Sequence, residues 1–205
     1  MVNIYEKLQA VEFDKLPKSI QGVYLAPPVI SVPIEPDGDG FKLLNPGELD
    51  RPAPQALVPK LGIKSWRDSG RLGVIYEGMN MRKMAEKLLK HPTKPQCLAA
   101  RAWTDVKSPL RLHLSPYVDF SEVSEVRFLA DQKQCRRISA CLRGSSAPGL
   151  SAALPQMASF AANIAAHLPP HGHIIDVGYF PSGDVWLVEI NPGLTPQDLA
   201  VLQKK

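Results

Sequence analysis

The sequence predicts an α+β protein in two halves, each with antiparallel strands and a covering helix. Short apolar runs, typical of strands, are interrupted by two longer segments with helical periodicity. Leu110, Leu112 and Leu114 alternate with Arg111 and His113, which predicts a strand with one buried face. With 205 residues, of which 44% are hydrophobic, the chain can bury a substantial core.

The first half begins with a proline-rich stretch. Prolines concentrate between residues 17 and 59, so residues 1–54 are expected to form a minor lobe of short extended pieces. An edge strand is predicted within residues 23–34, followed by a turn at 35–40. Residues 55–115 are expected to form the next subdomain.

This subdomain is predicted to contain strands over residues 55–63 and 71–78, a helix over 80–91 and a buried strand over 96–103. Asn80 can cap the helix and Pro92 can end it. The residues that recur at helical spacing, and are expected to pack in the core, are Met81, Met84, Ala85, Leu88 and Leu89.

Residues 116–205 are expected to form the last subdomain. A hairpin is predicted where SEVRFLA and CRRISACL flank the polar DQKQ, and an alanine-rich helix over 154–168. HIIDVGYF and DVWLVEI meet at Pro-Ser-Gly and predict a second, closing hairpin.

The composition favours some classes of protein and excludes others. The net charge of +4 permits a nucleic-acid partner, but basic residues are spread among acidic ones, which makes one unlikely. Three scattered cysteines without a CxxC pair fit neither a disulfide framework nor a zinc site. The charged start and the lack of a long apolar run predict a cytoplasmic protein with no membrane partner.

The closing hairpin carries the strongest candidate site. Asp176 lies on its first strand, and Glu189 and Asn191 share one face of the second, with Val188 and Ile190 expected on the other. Antiparallel pairing can bring these three oxygen-bearing side chains together, and such oxygens suit magnesium beside nucleotide phosphates. From spacing alone, an ordinary polar sheet face is an equally good interpretation.

The phrase VWLVEINPG, preceded by IIDVGYF, resembles the C-terminal signature of ATP-grasp proteins. LVPKLGIKSWRDS and SEVRFLADQKQCRRIS resemble segments of the eukaryotic cell-division-cycle ATP-grasp family, which assists assembly of translation initiation factor 2, and of its bacterial and phage relatives. The motifs occur in the family's order between Gln55 and Leu199. The resemblance implies an ATP-grasp fold, with two α+β lobes and ATP between antiparallel sheets.

The resemblance also implies roles for particular residues. Asp176, Glu189 and Asn191 would hold magnesium, and Lys60 and Arg127 would be catalytic and contact the phosphates. Without it, Lys60 is an exposed lysine and Arg127 pairs with Glu125. A hinge would bind adenine and ribose, and a loop would contact phosphate or acceptor. The hinge residues are Leu114, Pro116, Tyr117, Val118 and Asp119, and the loop residues are Arg67 and Asp68.

These roles point to ATP and magnesium as cofactors. The first functional hypothesis is an ATP-dependent ligase that joins a carboxylate to an amine or a similar nucleophile through an acyl-phosphate. The second is a nucleotide-dependent binding or assembly factor with a protein partner and no turnover. A basic domain that binds nucleic acid is a third alternative. His171 and His173 have strand spacing and could bind metal, but surface histidines are the simpler interpretation.

Overall fold

The computed structural model describes residues 4–62, 64–65, 73–93, 96–97, 110–139, 148–196 and 198. These residues divide into two compact units. We call residues 26–117 the central unit, and residues 4–25 with 118–198 the terminal unit. The proline-rich segment 1–54, which the sequence sets apart, is therefore shared between the two units.

The central unit is built on a five-stranded antiparallel sheet with the order β2-β1-β5-β3-β4. Its strands are β1 (Ile30–Asp37), β2 (Gly40–Leu43), β3 (Leu57–Leu61), β4 (Lys64–Ser65) and β5 (Leu110–Pro116). The predicted alternation in β5 is confirmed, because Leu110, Leu112 and Leu114 are all buried. Their buried face forms the core of this unit with β1 and β3.

Helix α3 (Met81–Leu89) begins after Asn80, as the sequence predicts, and ends two residues before the predicted end at His91. The side chain of Asn80 accepts a hydrogen bond from the Lys83 amide at 2.8 Å, which caps the first turn. Of the five residues predicted to pack in the core, Met81, Ala85, Leu88 and Leu89 are buried, and Met84 is half-buried. The helix packs on β2 and on the 3-10 turn Pro46–Leu49.

Two predicted strands of the central unit differ in the structure. Residues 73–78 form a single antiparallel bridge between Ile75 and Leu57 instead of a strand. Gln96 and Cys97 are helical: Cys97 N–H bonds to the Thr93 carbonyl, and the Gln96 side chain accepts from the Thr93 amide. A side chain that accepts from the backbone amide three residues earlier favours a helical turn over a strand at this point. The remainder of the predicted strand 96–103 lies outside the described residues.

The terminal unit begins with short helices, where the sequence predicts only extended pieces. They are α1 (Ile4–Gln9) and α2 (Lys18–Gln21), separated by the 3-10 turn Phe13–Lys15. Ile4 and Leu8 are one helical turn apart and both are buried, as are Leu16 and Ile20. The apolar spacing that forms these helices is too short to stand out from the proline-rich background.

A four-stranded antiparallel sheet with the order β7-β6-β8-β9 forms the rest of this unit. Its strands are β6 (Ser124–Ala130), β7 (Cys135–Arg137), β8 (His173–Tyr179) and β9 (Val185–Pro192). Both predicted hairpins, β6-β7 and β8-β9, are therefore confirmed. Helix α4 (Leu150–Ala166) packs on β6, β7 and β8 and starts four residues earlier than predicted.

The buried face of this sheet carries the core of the terminal unit. Side chains from β6, β8 and β9 that stand opposite one another are at most 1% exposed: Val126, Phe128, Ile175, Val177, Leu187 and Ile190. Alternation therefore sends the intervening residues of the three strands to the other face. Within the described part of the chain, no helix is long and apolar enough to cross a membrane.

Candidate functional site

The site is a row of charged side chains across three strands of the terminal unit. Arg127 on β6 stands opposite Asp176 on β8, and Asp176 stands opposite Glu189 on β9. Side chains directly opposite in an antiparallel sheet lie about 5 Å apart at their Cβ atoms and share a face. The pairing of Asp176 with Glu189 is the arrangement that the sequence of the closing hairpin suggests.

Arg127 and Asp176 form a two-pronged ion pair. The Arg127 Nε and Nη2 atoms donate to the two carboxylate oxygens of Asp176, each at 2.7 Å. Asp176 is buried, whereas the Arg127 side chain is 34% exposed. The hydrogen bonds to Asp176 raise the pKa of Arg127, and the charges of Asp176, Glu189 and Glu125 add to this against the opposing effect of burial. The buried carboxylate thus has its counter-ion in the same row.

Asn191 lies near the end of β9, opposite Ile174 on β8, and is 8% exposed. It is two residues from Glu189, so both side chains point to the same face of the sheet. The face therefore presents two carboxylates, one amide and one guanidinium within adjacent rows.

The β8-β9 register contains an irregularity that the sequence does not predict. Asp176 pairs with Glu189 but Val177 pairs with Leu187, which leaves Val188 as an extra residue in a β-bulge. A Cβ atom on Gly178 would lie 3.2 Å from Val188 Cγ2, which places this valine beside the candidate site. The expectation that Val188 faces away with Ile190 is therefore wrong, because the bulge breaks strict alternation.

The donors of this row suit a magnesium ion chemically. Asp176, Glu189 and Asn191 offer oxygen atoms only, and the carboxylate oxygens that accept from Arg127 retain further lone pairs. Among the described residues, no group of three or more histidine, cysteine or acidic side chains could hold a metal ion, and this row combines two acids with one amide. The set fits a hard cation that keeps part of its water shell.

Lys60 lies in the central unit, on the polar face of its sheet. It stands opposite His113 on β5, which stands opposite Ser31 on β1. Ser31 Oγ is 3.0 Å from His113 Nδ1, and Arg111 donates to the Oγ and carbonyl oxygen of Ser31 at 2.7 Å each. No hydrogen bond or ion pair of the half-buried Lys60 ammonium group occurs within the described chain.

The predicted hinge, residues 114–119, contains the boundary between the two units, after Tyr117. Some of its polar groups already have partners. Tyr117 N–H donates to the Ala56 carbonyl, and the Leu114 carbonyl accepts from Val29 N–H, each at 2.9 Å. Asp119 is exposed and accepts from the Ser121 amide at 2.9 Å, which closes a local turn.

Arg67 and Asp68, predicted to contact phosphate or acceptor, lie outside the described residues. Conversely, the contacts of Tyr24, Ser31 and His113 are not predicted from the sequence. Tyr24 pairs with Leu187, which is far from it in the chain. His113 occupies a position whose alternation predicts exposure, yet it is 1% exposed. No local pattern in the sequence signals the bridge between Tyr24 and Leu187 or the burial of His113.

His171 and His173 form the second histidine-containing candidate. Their rings are 4.4 Å apart at the centroids, and His173 Nε2 donates to the Pro169 carbonyl at 3.1 Å. Burial lowers the pKa of His173 to about 4, and also lowers that of His171. A third metal-binding side chain beside them is absent from the described chain. His173 is buried and His171 is half-buried, whereas the sequence favours surface histidines at both positions.

The fold and the site define an α+β protein with two antiparallel sheets and an acid-rich row on one of them. Two solved structures, both of Cdc123 from Schizosaccharomyces pombe, share this fold. One has 17% identity and a TM-score of 0.62, and the alignment covers 94% of this chain and 87% of the other. The C-terminally truncated Cdc123 has 18% identity and a TM-score of 0.59, with 91% and 84% covered. No family model and no curated protein matches the sequence.

Proposed function

We propose that the protein binds ATP together with magnesium in the manner of ATP-grasp proteins. The observation that carries this proposal is the row of Arg127, Asp176 and Glu189, with Asn191 on the same face. An acid, a second acid and an amide occur at the three positions that the ATP-grasp signature assigns to the metal. The two antiparallel sheets and the similarity of the fold to Cdc123 support the same proposal.

In the terminal unit, Asp176, Glu189 and Asn191 would hold the magnesium ion through their oxygens. When bound, magnesium supplies positive charge that neutralises phosphate oxygens. Arg127 is already oriented by Asp176, and about a third of its side chain is exposed. Its guanidinium group has donors beyond the two that Asp176 occupies, which suits a contact with a phosphate group.

In the central unit, Lys60 would bind the nucleotide phosphates as a mobile point charge. Its ammonium group is free to do so within the described chain. For adenine, Val118 N–H is the donor of the hinge segment that we favour, since Tyr117 N–H is bonded to Ala56. Leu114 and Pro116 would line the base, and Asp119 would accept hydrogen bonds from the ribose hydroxyls.

Two activities are compatible with such a site. In a ligase, a substrate carboxylate would attack the γ-phosphate and release ADP, and an amine would then displace phosphate from the acyl-phosphate. Lys60 and Arg127 would stabilise the transferred charge, and Arg67 and Asp68 would contact phosphate or acceptor. The alternative is a nucleotide-dependent assembly factor with a protein partner, favoured by the fold shared with Cdc123 and by the sequence resemblance.

Calorimetry with ATP and magnesium tests the proposal. We expect the wild type to bind and the double variant Glu189→Ala, Asn191→Ala to lose the magnesium-dependent part of its affinity. The matched control Glu122→Ala, Asn163→Ala removes the same residue types from exposed positions of the same unit and should bind like the wild type. A folded wild type that does not bind at millimolar ATP would show that the site assignment is wrong.

Turnover assays then separate the two activities. ATP hydrolysis that depends on an added carboxylate and amine supports the ligase. Binding of ATP without turnover, together with a stable complex with a protein partner, supports the assembly factor.

A further inference from the structure

His173 begins β8 and faces the core of the terminal unit. It is 0% exposed and shares a strand face with Ile175 and Val177. His173 Nε2 lies 3.1 Å from the Pro169 carbonyl oxygen, which can only accept a hydrogen bond, so this nitrogen carries a proton. Burial lowers the pKa of the ring to about 4, so at neutral pH the ring is neutral and Nδ1 holds a lone pair without a proton.

Three ring nitrogens of the histidine pair are buried without a hydrogen-bond partner in the described part of the chain. They are Nδ1 of His173 and both nitrogens of His171, whose side chain is half-buried. Buried polar groups are almost always bonded, so three such atoms in two neighbouring rings need an explanation. An ion that takes nitrogen lone pairs would satisfy one nitrogen of each ring, and water would accept from the remaining N–H of His171.

The two rings have a separation that suits one shared ion. Two imidazoles bound to one ion at about 2.0–2.1 Å per nitrogen have ring centres roughly 4.5–5 Å apart. The centroids of His171 and His173 are 4.4 Å apart, with an interplanar angle of 42°. A small rotation of the side chains would let both rings face a common ion. His173 also has the outer-shell bond typical of a metal-binding histidine, because its other nitrogen donates to a backbone carbonyl.

The charges beside the two rings are balanced. Lys7 on α1 donates to Asp198 Oδ2 at 2.7 Å, so these two residues form a neutral pair. The Thr195 amide and hydroxyl donate to the same oxygen at 2.8 Å and 2.9 Å. Burial lowers the pKa of His171 most, while the charge of Lys7 lowers it and that of Asp198 raises it. The surroundings thus keep the ring neutral without adding a net charge that would repel a cation.

We propose that His171 and His173 form a site for a divalent transition-metal ion such as Zn²⁺, with water in the remaining positions of the ion. Imidazole nitrogen suits Zn²⁺, Ni²⁺ and Cu²⁺, whereas magnesium prefers oxygen. The site therefore differs in chemistry from the row of Asp176, Glu189 and Asn191, and it requires neither ATP nor magnesium. His171 reaches the surface, and the ion enters from its side.

Calorimetry with Zn²⁺ on the ligand-free protein tests the site through the variant His171→Gln. We expect its Zn²⁺ affinity to fall at least tenfold, since loss of a ligand costs no less than the about 10-fold to 100-fold of a lost outer-shell bond. The matched control His167→Gln removes an exposed histidine at the end of α4 and should bind like the wild type. Equal affinities of His171→Gln and the wild type would overturn the inference.

NMR spectra of the histidine rings locate the ion in the wild type, and so decide the question even if a variant does not fold. One equivalent of Zn²⁺ should shift the ring signals of His171 and His173 and leave those of His167 as they are. An excess of Mg²⁺ of about a hundredfold should not reverse the shifts, because magnesium competes poorly for nitrogen. Unchanged ring signals of His171 and His173, or their reversal by Mg²⁺, would overturn the inference.

The outcome is separate from that of the proposed function. Zn²⁺ binding to the histidine pair is measured without ATP, so it stands if ATP does not bind. Conversely, ATP and magnesium binding at the row of Asp176 and Glu189 stands if Zn²⁺ leaves the histidine rings unchanged.

Discussion

Both sheets are antiparallel, but they differ in the chemistry of their polar faces. The row on the terminal sheet contains two carboxylates and one guanidinium, and Asp176 is bonded to Arg127 across the strands. The matching row on the central sheet contains Lys60, His113 and Ser31, and its lysine has no such partner in the described chain. The first face suits a cation and the second an anion. The terminal row is already ion-paired within the fold, whereas Lys60 is available to a ligand.

Breaking the ion pair should have the largest effect. We expect Asp176→Ala to lower the free energy of unfolding by about 2–3 kcal/mol, less than for a fully buried pair because Arg127 is partly exposed. Urea denaturation measures this value. Glu122→Ala, at an exposed position of the same unit, should change it by less than about 0.5 kcal/mol. Equal effects of the two substitutions would mean that the pair contributes nothing to stability.

Acid should weaken the terminal unit through His173. Burial lowers the pKa of this group to about 4 in the folded state, so the unfolded chain binds more protons below its ordinary pKa of 6.5. Stability is therefore lost as the pH falls from 7, by about 2 kcal/mol at pH 5. Denaturation of the wild type and of His173→Gln across this range tests the assignment. The variant should lose less stability, and parallel curves would exclude His173 as the cause.

Replacing Lys60, which has no hydrogen-bond or ion-pair partner among the described residues, should have the smallest effect on stability. We expect Lys60→Gln to change the free energy of unfolding by less than about 0.5 kcal/mol, because the described part of the chain loses no ion pair. ATP affinity, in contrast, should fall roughly tenfold, as for a lost hydrogen bond to a charged group. Denaturation and calorimetry on the same sample measure both. A large loss of stability would mean that Lys60 has a structural partner instead of a ligand.

Much of the fold follows from local patterns in the sequence. The alternation in β5, the Asn80 cap of α3 and the Pro-Ser-Gly turn of the closing hairpin each depend on neighbours within a few residues. For the same reason, the approach of Asp176 to Glu189 could be predicted, since a tight hairpin sets which residues face each other.

Other features depend on contacts that no local pattern records. The bulge at Val188 shifts by one residue which side chains of β9 face the core, and no glycine or proline stands at the bulge to signal it. The bridge between Tyr24 and Leu187 joins distant parts of the chain, and so does the contact of Ser31 with His113. The partner of Arg127 was predicted as Glu125 on its own strand without the resemblance, but across the sheet Asp176 offers both oxygens to the guanidinium group.

The pairing of Arg127 with Asp176 allows the terminal unit to fold without a bound metal ion. A carboxylate buried without a counter-ion would oppose folding until a metal ion arrived, as occurs in small domains that stay unfolded when their metal is removed. Here Arg127 supplies the counter-ion of Asp176 from within the chain. Under the proposed function, folding would therefore not depend on the supply of magnesium, and a chelator should leave the protein folded.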